Sequence, residues 1–163
     1  MKQKAYISDC GKYRYTLTRI WQKELPRVLF VGLNPSTADG NKNDQTIRKL
    51  IGFCKTWGYG GFTIVNLFAY RSSNPKILAW LLENGKDPIG KENQEIIGSY
   101  RESKKYKLSI MMWGNNLPKG FEIYANKIRN ILKNPHYFNT TKKGHPMHPL
   151  CLPYNTKLKK FSK

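Results

Sequence analysis

Acidic residues are scarce in this chain. Ten Asp and Glu stand against 29 Lys and Arg in 163 residues, a formal net charge of +19. So large an excess repels itself within a folded domain, and a polyanionic partner, DNA above all, explains it best. A solubilising lysine-rich surface is the bland alternative. Cysteine is nearly absent: Cys10, Cys54 and Cys151 are odd in number and include no Cys-x-x-Cys pair. That argues against a disulfide framework, a zinc ribbon and an iron–sulfur cluster, and reduced thiols fit a cytoplasmic protein. Long apolar runs are also missing. No stretch approaches the roughly 18 apolar residues of a membrane span, and the opening Met-Lys-Gln-Lys-Ala-Tyr lacks the apolar core of a signal peptide. No strongly amphipathic basic helix points to a membrane surface.

What is present suffices for a folded core: 39% hydrophobic and 13% aromatic residues in a length that fits one domain, 1–163. Short strands are expected at 6–8 and 13–20 around the turn signal Asp9-Cys10-Gly11-Lys12, an N-terminal hairpin at one edge. In the second of them Tyr13, Tyr15, Leu17 and Thr18 roughly alternate with Arg14, Thr16 and Arg19. The apolar stretches 28–33, 62–68 and 108–113 read as buried strands. Between them Ile47, Leu50, Ile51, Cys54 and Trp57 mark one helix face, with Asp44 as its cap. Further helices are expected at 76–83, 91–101 and 122–132, the last with Ile123, Ile128 and Leu132 inward. A short strand is expected at 136–139 and a flexible basic tail at 155–163. Strands alternating with helices predict an α/β domain, three layers α/β/α around a mostly parallel central sheet. A monomer is the default.

Two stretches carry the chemistry. Gly32-Leu33-Asn34-Pro35-Ser36 directly follows an apolar strand, and Gly144-His145-Pro146-Met147-His148-Pro149-Leu150 lies near the other terminus. The carboxyl edge of an open α/β sheet is where ligands bind, and Pro35 keeps Asn34 out of the helical region. Asn34 has the groups to position a water or read a base edge, or to hold its own loop. Asn66, inside an apolar strand, is a base reader or an amide tying strand ends together. His145 and His148 are candidates for steadying an anion or shuttling a proton. As a His-x-x-His pair they are a weak metal signal, with Cys151 the only further ligand in view, and no metal is expected. Asp39 and Asp44 offer a base or a charge for a sugar cation, or a helix cap and a partner for Arg48. Trp113, Phe68 and Tyr70 offer faces for a base or for the core. Arg71, Lys42, Arg48, Lys49, Lys142 and Lys143 offer phosphate contacts or solvated surface.

These residues resemble the uracil-DNA glycosylase superfamily, and within it the domain of unknown function 1643 family. That branch has an amino-terminal hairpin, a Gly-x-Asn-Pro-Ser-Thr-Ala-Asp loop and a late Gly-x-Pro-x-His-Pro-Leu segment, similar here to 9–15, 32–39 and 144–150. In related glycosylases the first-motif Asn orients the attacking water, which implies that role for Asn34. The second motif holds the flipped nucleotide and its leaving base, which implies such a role for His145 or His148. Asn66 resembles the residue that reads the pyrimidine edge. Ser36 departs from the usual Gly or Tyr, the catalytic Asp of the most active members is missing from the first motif, and Asp39 is the nearest substitute in that loop. The resemblance implies excision of uracil or a modified pyrimidine from DNA without a cofactor. The alternatives are a non-catalytic nucleic-acid or nucleotide-binding module and a hydrolase or transferase of free nucleosides or nucleotides.

Overall fold

The structure is a computed structural model and describes residues 1–36, 40–74 and 76–162. Seven strands form one mixed sheet: β1 (Lys2–Ile7), β2 (Arg14–Ile20), β3 (Arg27–Gly32), β4 (Gly61–Asn66), β5 (Tyr106–Met111), β6 (Pro135–Tyr137) and β7 (Lys159–Lys160), in the order β1-β2-β4-β3-β5-β6-β7. The central strands β4, β3, β5 and β6 run parallel. β1, β2 and β7 pair antiparallel at the two flanks. Four helices join them: α1 (Gln45–Thr56), α2 (Ile77–Glu83), α3 (Asn93–Ser99) and α4 (Glu122–Ile131). Among the described residues no helix is long and apolar enough to cross a membrane.

Side chains alternate along the buried strands, so one apolar stretch feeds two cores. Val28 and Phe30, Phe62 and Ile64, and Leu108 and Ile110 pack with Ile47, Leu50, Phe53 and Cys54 of α1. Leu29, Val31, Val65 and Met111 pack instead with Leu78 of α2, Ile97 of α3 and Ala125 and Ile128 of α4. The chain leaves β3 through α1 to β4 on one side. It then crosses by α2 and α3 to β5 on the other side of β3. The connections therefore reverse direction at β3, and the crevice at a switch point of this kind opens at the strands' carboxyl ends.

Three expectations change. Arg14 and Arg19, read as the polar half of an alternating strand, are 4% and 0% exposed. β2 lies inside the sheet between β1 and β4, and Arg19 is satisfied there by the Asn43 side chain and by the carbonyls of Thr18 and Lys42. Ile123 is 83% exposed. Five residues of helix place it about 140° around from Ile128, so the inward face of α4 is Ala125, Ile128 and then Leu132. Lys159 and Lys160, within the stretch expected as a tail, pair with β6, and Phe161 lies against the guanidinium of Arg129 at 4.6 Å.

Candidate active site

The carboxyl ends of β4, β3 and β5 surround a cavity of about 400 Å³, within the roughly 300–1,000 Å³ usual for ligand sites. Asn66 ends β4 and Gly32, its register partner, ends β3. Both side-chain positions face the α1 side. A Cβ on Gly32 would fall 2.6 Å from Asn66 Oδ1, so the glycine makes room for the amide. Asn66 is 4% exposed, yet its side-chain amide makes no hydrogen bond to another described residue, and it lines the cavity. Its main chain is held firmly. Asn93 Nδ2 donates to the carbonyls of Asn66 (2.9 Å) and Leu67 (3.0 Å), and Tyr124 donates to Leu67 O (2.8 Å). The Asn66 side chain is thus fixed at its root and unengaged by protein, with its amide atoms open to the cavity.

Asn34 lies in the loop after β3 and holds that loop, one of its two expected roles. Its Nδ2 donates to Ser72 O (3.0 Å) and Pro35 O (3.3 Å). Ser72 N in turn donates to Pro35 O (2.9 Å). The amide could not be reversed without setting its oxygen against two carbonyls. Oδ1 is therefore the atom Asn34 can offer a ligand in the cavity it lines. An amide oxygen can orient a water by accepting its hydrogen, and it is a poor base.

His148 reaches the same cavity from the far end of the chain. The loop that carries it is fastened by Gly114 N to Pro146 O, Met147 N to Asn139 O and Thr141 N to His145 O, each 2.8 Å. Gly114, at φ +70°, turns the chain just past β5. A Cβ there would lie 4.0 Å from the Cβ of His148. The Nδ1 of His148 accepts from Leu150 N at 3.3 Å, so in the neutral ring Nε2 carries the proton and is the donor. Desolvation by neighbouring protein lowers the imidazole pKa from 6.5, and the Asp44 carboxylate opposes it. The residue as a whole is exposed at the cavity mouth. The ring is crowded on one side and wet on the other, and the wet side screens the shift.

Asp44 caps α1 as expected: Oδ1 accepts from Ile47 N (2.8 Å). Its Oδ2 accepts from Ser36 Oγ (3.0 Å) rather than from Arg48, and both Ser36 and Asp44 line the cavity. Arg14 lines it too, a residue that strand alternation had placed in solvent. Burial pushes its guanidinium down to about 10, Arg71 and Arg19 push the same way, and Asp44 opposes them. Arg14 therefore stays cationic at neutral pH. The sequence gives one weak sign of its placement, an arginine among alternating tyrosines in an edge hairpin.

Leu33 and Trp113 complete the expected residues that line the cavity; Trp113 is 3% exposed. The other expected site residues lie elsewhere. Phe68 packs against Phe121 and Tyr124 in the opposite core: β4 ends at Asn66, and past it Leu67 and Phe68 both turn to that side. Pro35 is buried under the loop, and Arg71 clasps the β1–β2 turn through Gly11 O (3.1 Å). His145 is outside the cavity lining, its main-chain N–H donating to Thr141 Oγ1 (3.2 Å). Lys49 lies over the Tyr154 ring at 4.3 Å, while Lys42, Arg48, Lys142 and Lys143 are exposed away from the lining. Asp39 lies outside the described residues. Among those described, no group of three His, Cys, Asp or Glu side chains could hold a metal ion.

No curated protein and no solved structure matches the chain. A family model matches residues 14–150, a span that holds β2 through the His-Pro loop and every cavity residue named above. The chain belongs to the DUF1643 family, described as proteins of unknown function.

Proposed function

We propose that this protein is a base-excision enzyme. It would hydrolyse the N-glycosidic bond of uracil or a modified pyrimidine flipped out of DNA, on a three-layer fold of the uracil-DNA glycosylase kind. The observation that carries the reading is the buried, unengaged amide of Asn66, sharing one cavity with Asn34 and His148 at the carboxyl ends of the parallel strands. A pyrimidine edge offers the mixed donors and acceptors that such an amide lacks in the protein. The high positive charge supplies the backbone attraction that any duplex or single strand would meet.

The chemistry follows from the donors in place. Breaking a glycosidic bond builds positive charge on the sugar and negative charge on the departing base. The Nε2–H of His148 donates to a base oxygen as that charge grows. Asn66 holds the pyrimidine edge, Trp113 walls the cavity, and Asn34 Oδ1 orients the water.

The test is a base-release screen on DNA carrying uracil, mismatched pyrimidines and hypermodified pyrimidines, single- and double-stranded. Release of one base class is expected, with Asn34→Ala and His148→Ala losing turnover while DNA binding is largely kept. Tight, salt-sensitive DNA binding without release from any substrate would overturn catalysis and leave a binding module.

A further inference from the structure

A glycosidic cleavage site needs a place for the proton of the attacking water, and neither Asn34 nor Asn66 can take one, since amides are not bases at neutral pH. The cavity holds one carboxylate among its described lining residues, Asp44. We propose that Asp44 is that group: the catalytic carboxylate of the site, facing the sugar as well as capping α1. The inference rests on the excision reading above and names a residue outside the motifs that led to it.

The geometry separates the two duties of the side chain. A carboxylate has about four lone-pair sites. Oδ1 uses one on Ile47 N and Oδ2 uses one on Ser36 Oγ. Those two bonds come from different directions, from the helix and from the loop after β3, so the carboxylate is held without rotational freedom. Its remaining lone pairs are not matched by any described donor. Two cations bracket it, Arg14 in the cavity wall and the positive end of α1. His148 faces it across the same cavity, and the two groups interact electrostatically. A sugar between them would have the carboxylate on one side and the base-holding imidazole on the other.

The step balances. The water oxygen forms a bond to the anomeric carbon, and the carbon–nitrogen bond breaks with its electron pair passing to the base. One water proton passes to Asp44, and the base anion, held by the His148 N–H, gains a proton from solvent as it leaves. Before water arrives, the same carboxylate lowers the energy of the sugar cation.

The experiment must part this role from the helix cap. Asp44→Asn keeps a side-chain oxygen for Ile47 N, and Asn caps helices as well as Asp does. Asp44→Gly is the second variant, because glycine at a cap costs only a few tenths of a kcal/mol relative to a side-chain cap. Both are compared with wild type by single-turnover base release, melting temperature and DNA affinity. Loss of release by about 10²-fold or more in both variants, with folding and affinity kept, supports the role. Release within about threefold of wild type in either folded variant overturns it, well short of what loss of a proton acceptor costs. The two failures differ in kind. If wild type releases no base, the excision reading falls and takes the role of Asp44 with it. If wild type and Asp44→Asn release base equally, excision stands and only the assignment of Asp44 falls.

Discussion

Two of the hollows on this molecule make an instructive pair, about 400 Å³ at the carboxyl ends of β3, β4 and β5 and about 360 Å³ beside the β1–β2 turn. The second is the more eye-catching in composition, with Tyr6, Tyr13 and Tyr15 around Asp87 and Glu92. Its polar groups, however, answer one another. Tyr6 OH donates to Glu92 Oε2 (2.9 Å), Tyr13 OH to Asp87 O (2.7 Å), and the Asp87 carboxylate accepts from Ile89 N (2.8 Å) and Gly90 N (3.2 Å). The first hollow contains an amide, that of Asn66, which no described residue answers. Volume and aromatic lining therefore do not distinguish the two. The hydrogen-bonding groups of Asn66 do, since they are open to the cavity and unmet by protein.

The largest break in that comparison is expected from Asn66→Ala. If the amide serves a ligand, its loss removes base-edge contacts worth about 1–3 kcal/mol, roughly 10- to 100-fold in binding or release. It removes no protein hydrogen bond, so the melting temperature should hold or rise. The matched control is Asn93→Ala, which strips the donors from two buried carbonyls and should destabilise by about 1–3 kcal/mol. Thermal denaturation and base release, measured on both variants, check the contrast. An Asn66→Ala protein that melts early and keeps its activity would make the amide structural.

Gly32→Ala comes next. The added methyl would sit 2.6 Å from Asn66 Oδ1, so the amide must turn. A cost of about 1–3 kcal/mol is expected from overpacking, together with weakened release. The double variant Gly32→Ala, Asn66→Ala should recover much of the stability. A double mutant as unstable as Gly32→Ala alone would show that the strain lies in the backbone and not in the contact with the amide.

How far the sequence carries a reader is seen best at these positions. The strands were legible because β3, β4 and β5 are apolar on both faces, and a strand ending in Asn-Pro marks its own carboxyl edge. Asn34 and Asn66 could be named for the same reason, since polar groups at the ends of apolar runs leave few places to go, and His148 by its imidazole in the late His-Pro segment. What each side chain does there was not legible. Whether Asn34 Nδ2 is free depends on Ser72, 38 residues away. Phe68 and Trp113 look alike as aromatics two residues past a strand, and both pack into the α4-side core, but only Trp113 also borders the cavity, which nothing in the sequence distinguishes. Arg14 was hidden because alternation cannot tell a solvated face from one covered by another layer. Asp44 could be named both as a cap and as a site carboxylate, but not chosen between the two, because its contact with Ser36 leaves no periodic trace.

In the second hollow, Tyr6→Phe removes a hydrogen bond between exposed groups. The expected effect is at the low end of the roughly 0.5–1.5 kcal/mol for one such bond, with no change in base release. An activity loss matching that of Asn66→Ala would mean that the two hollows work together and that hydrogen-bond satisfaction is a poor guide.

The smallest effect concerns pH. The imidazole of His148 has its pKa lowered in the folded protein, by desolvation first and against the pull of Asp44. The unfolded chain then holds more protons than the folded one in the region below pH 6.5, so stability rises with pH there. The stabilising contribution is complete above 6.5 and is lost as pH falls through the folded value. His148→Gln lacks the titration, and the difference between its melting curve and that of wild type, followed from neutral to mildly acid pH, isolates it. Asp44→Asn should widen the wild-type dependence, because the carboxylate is what holds the imidazole pKa up. A narrower dependence in Asp44→Asn would show that Asp44 and His148 do not face each other across the cavity, and the comparison between the two hollows would then rest on Asn66 alone.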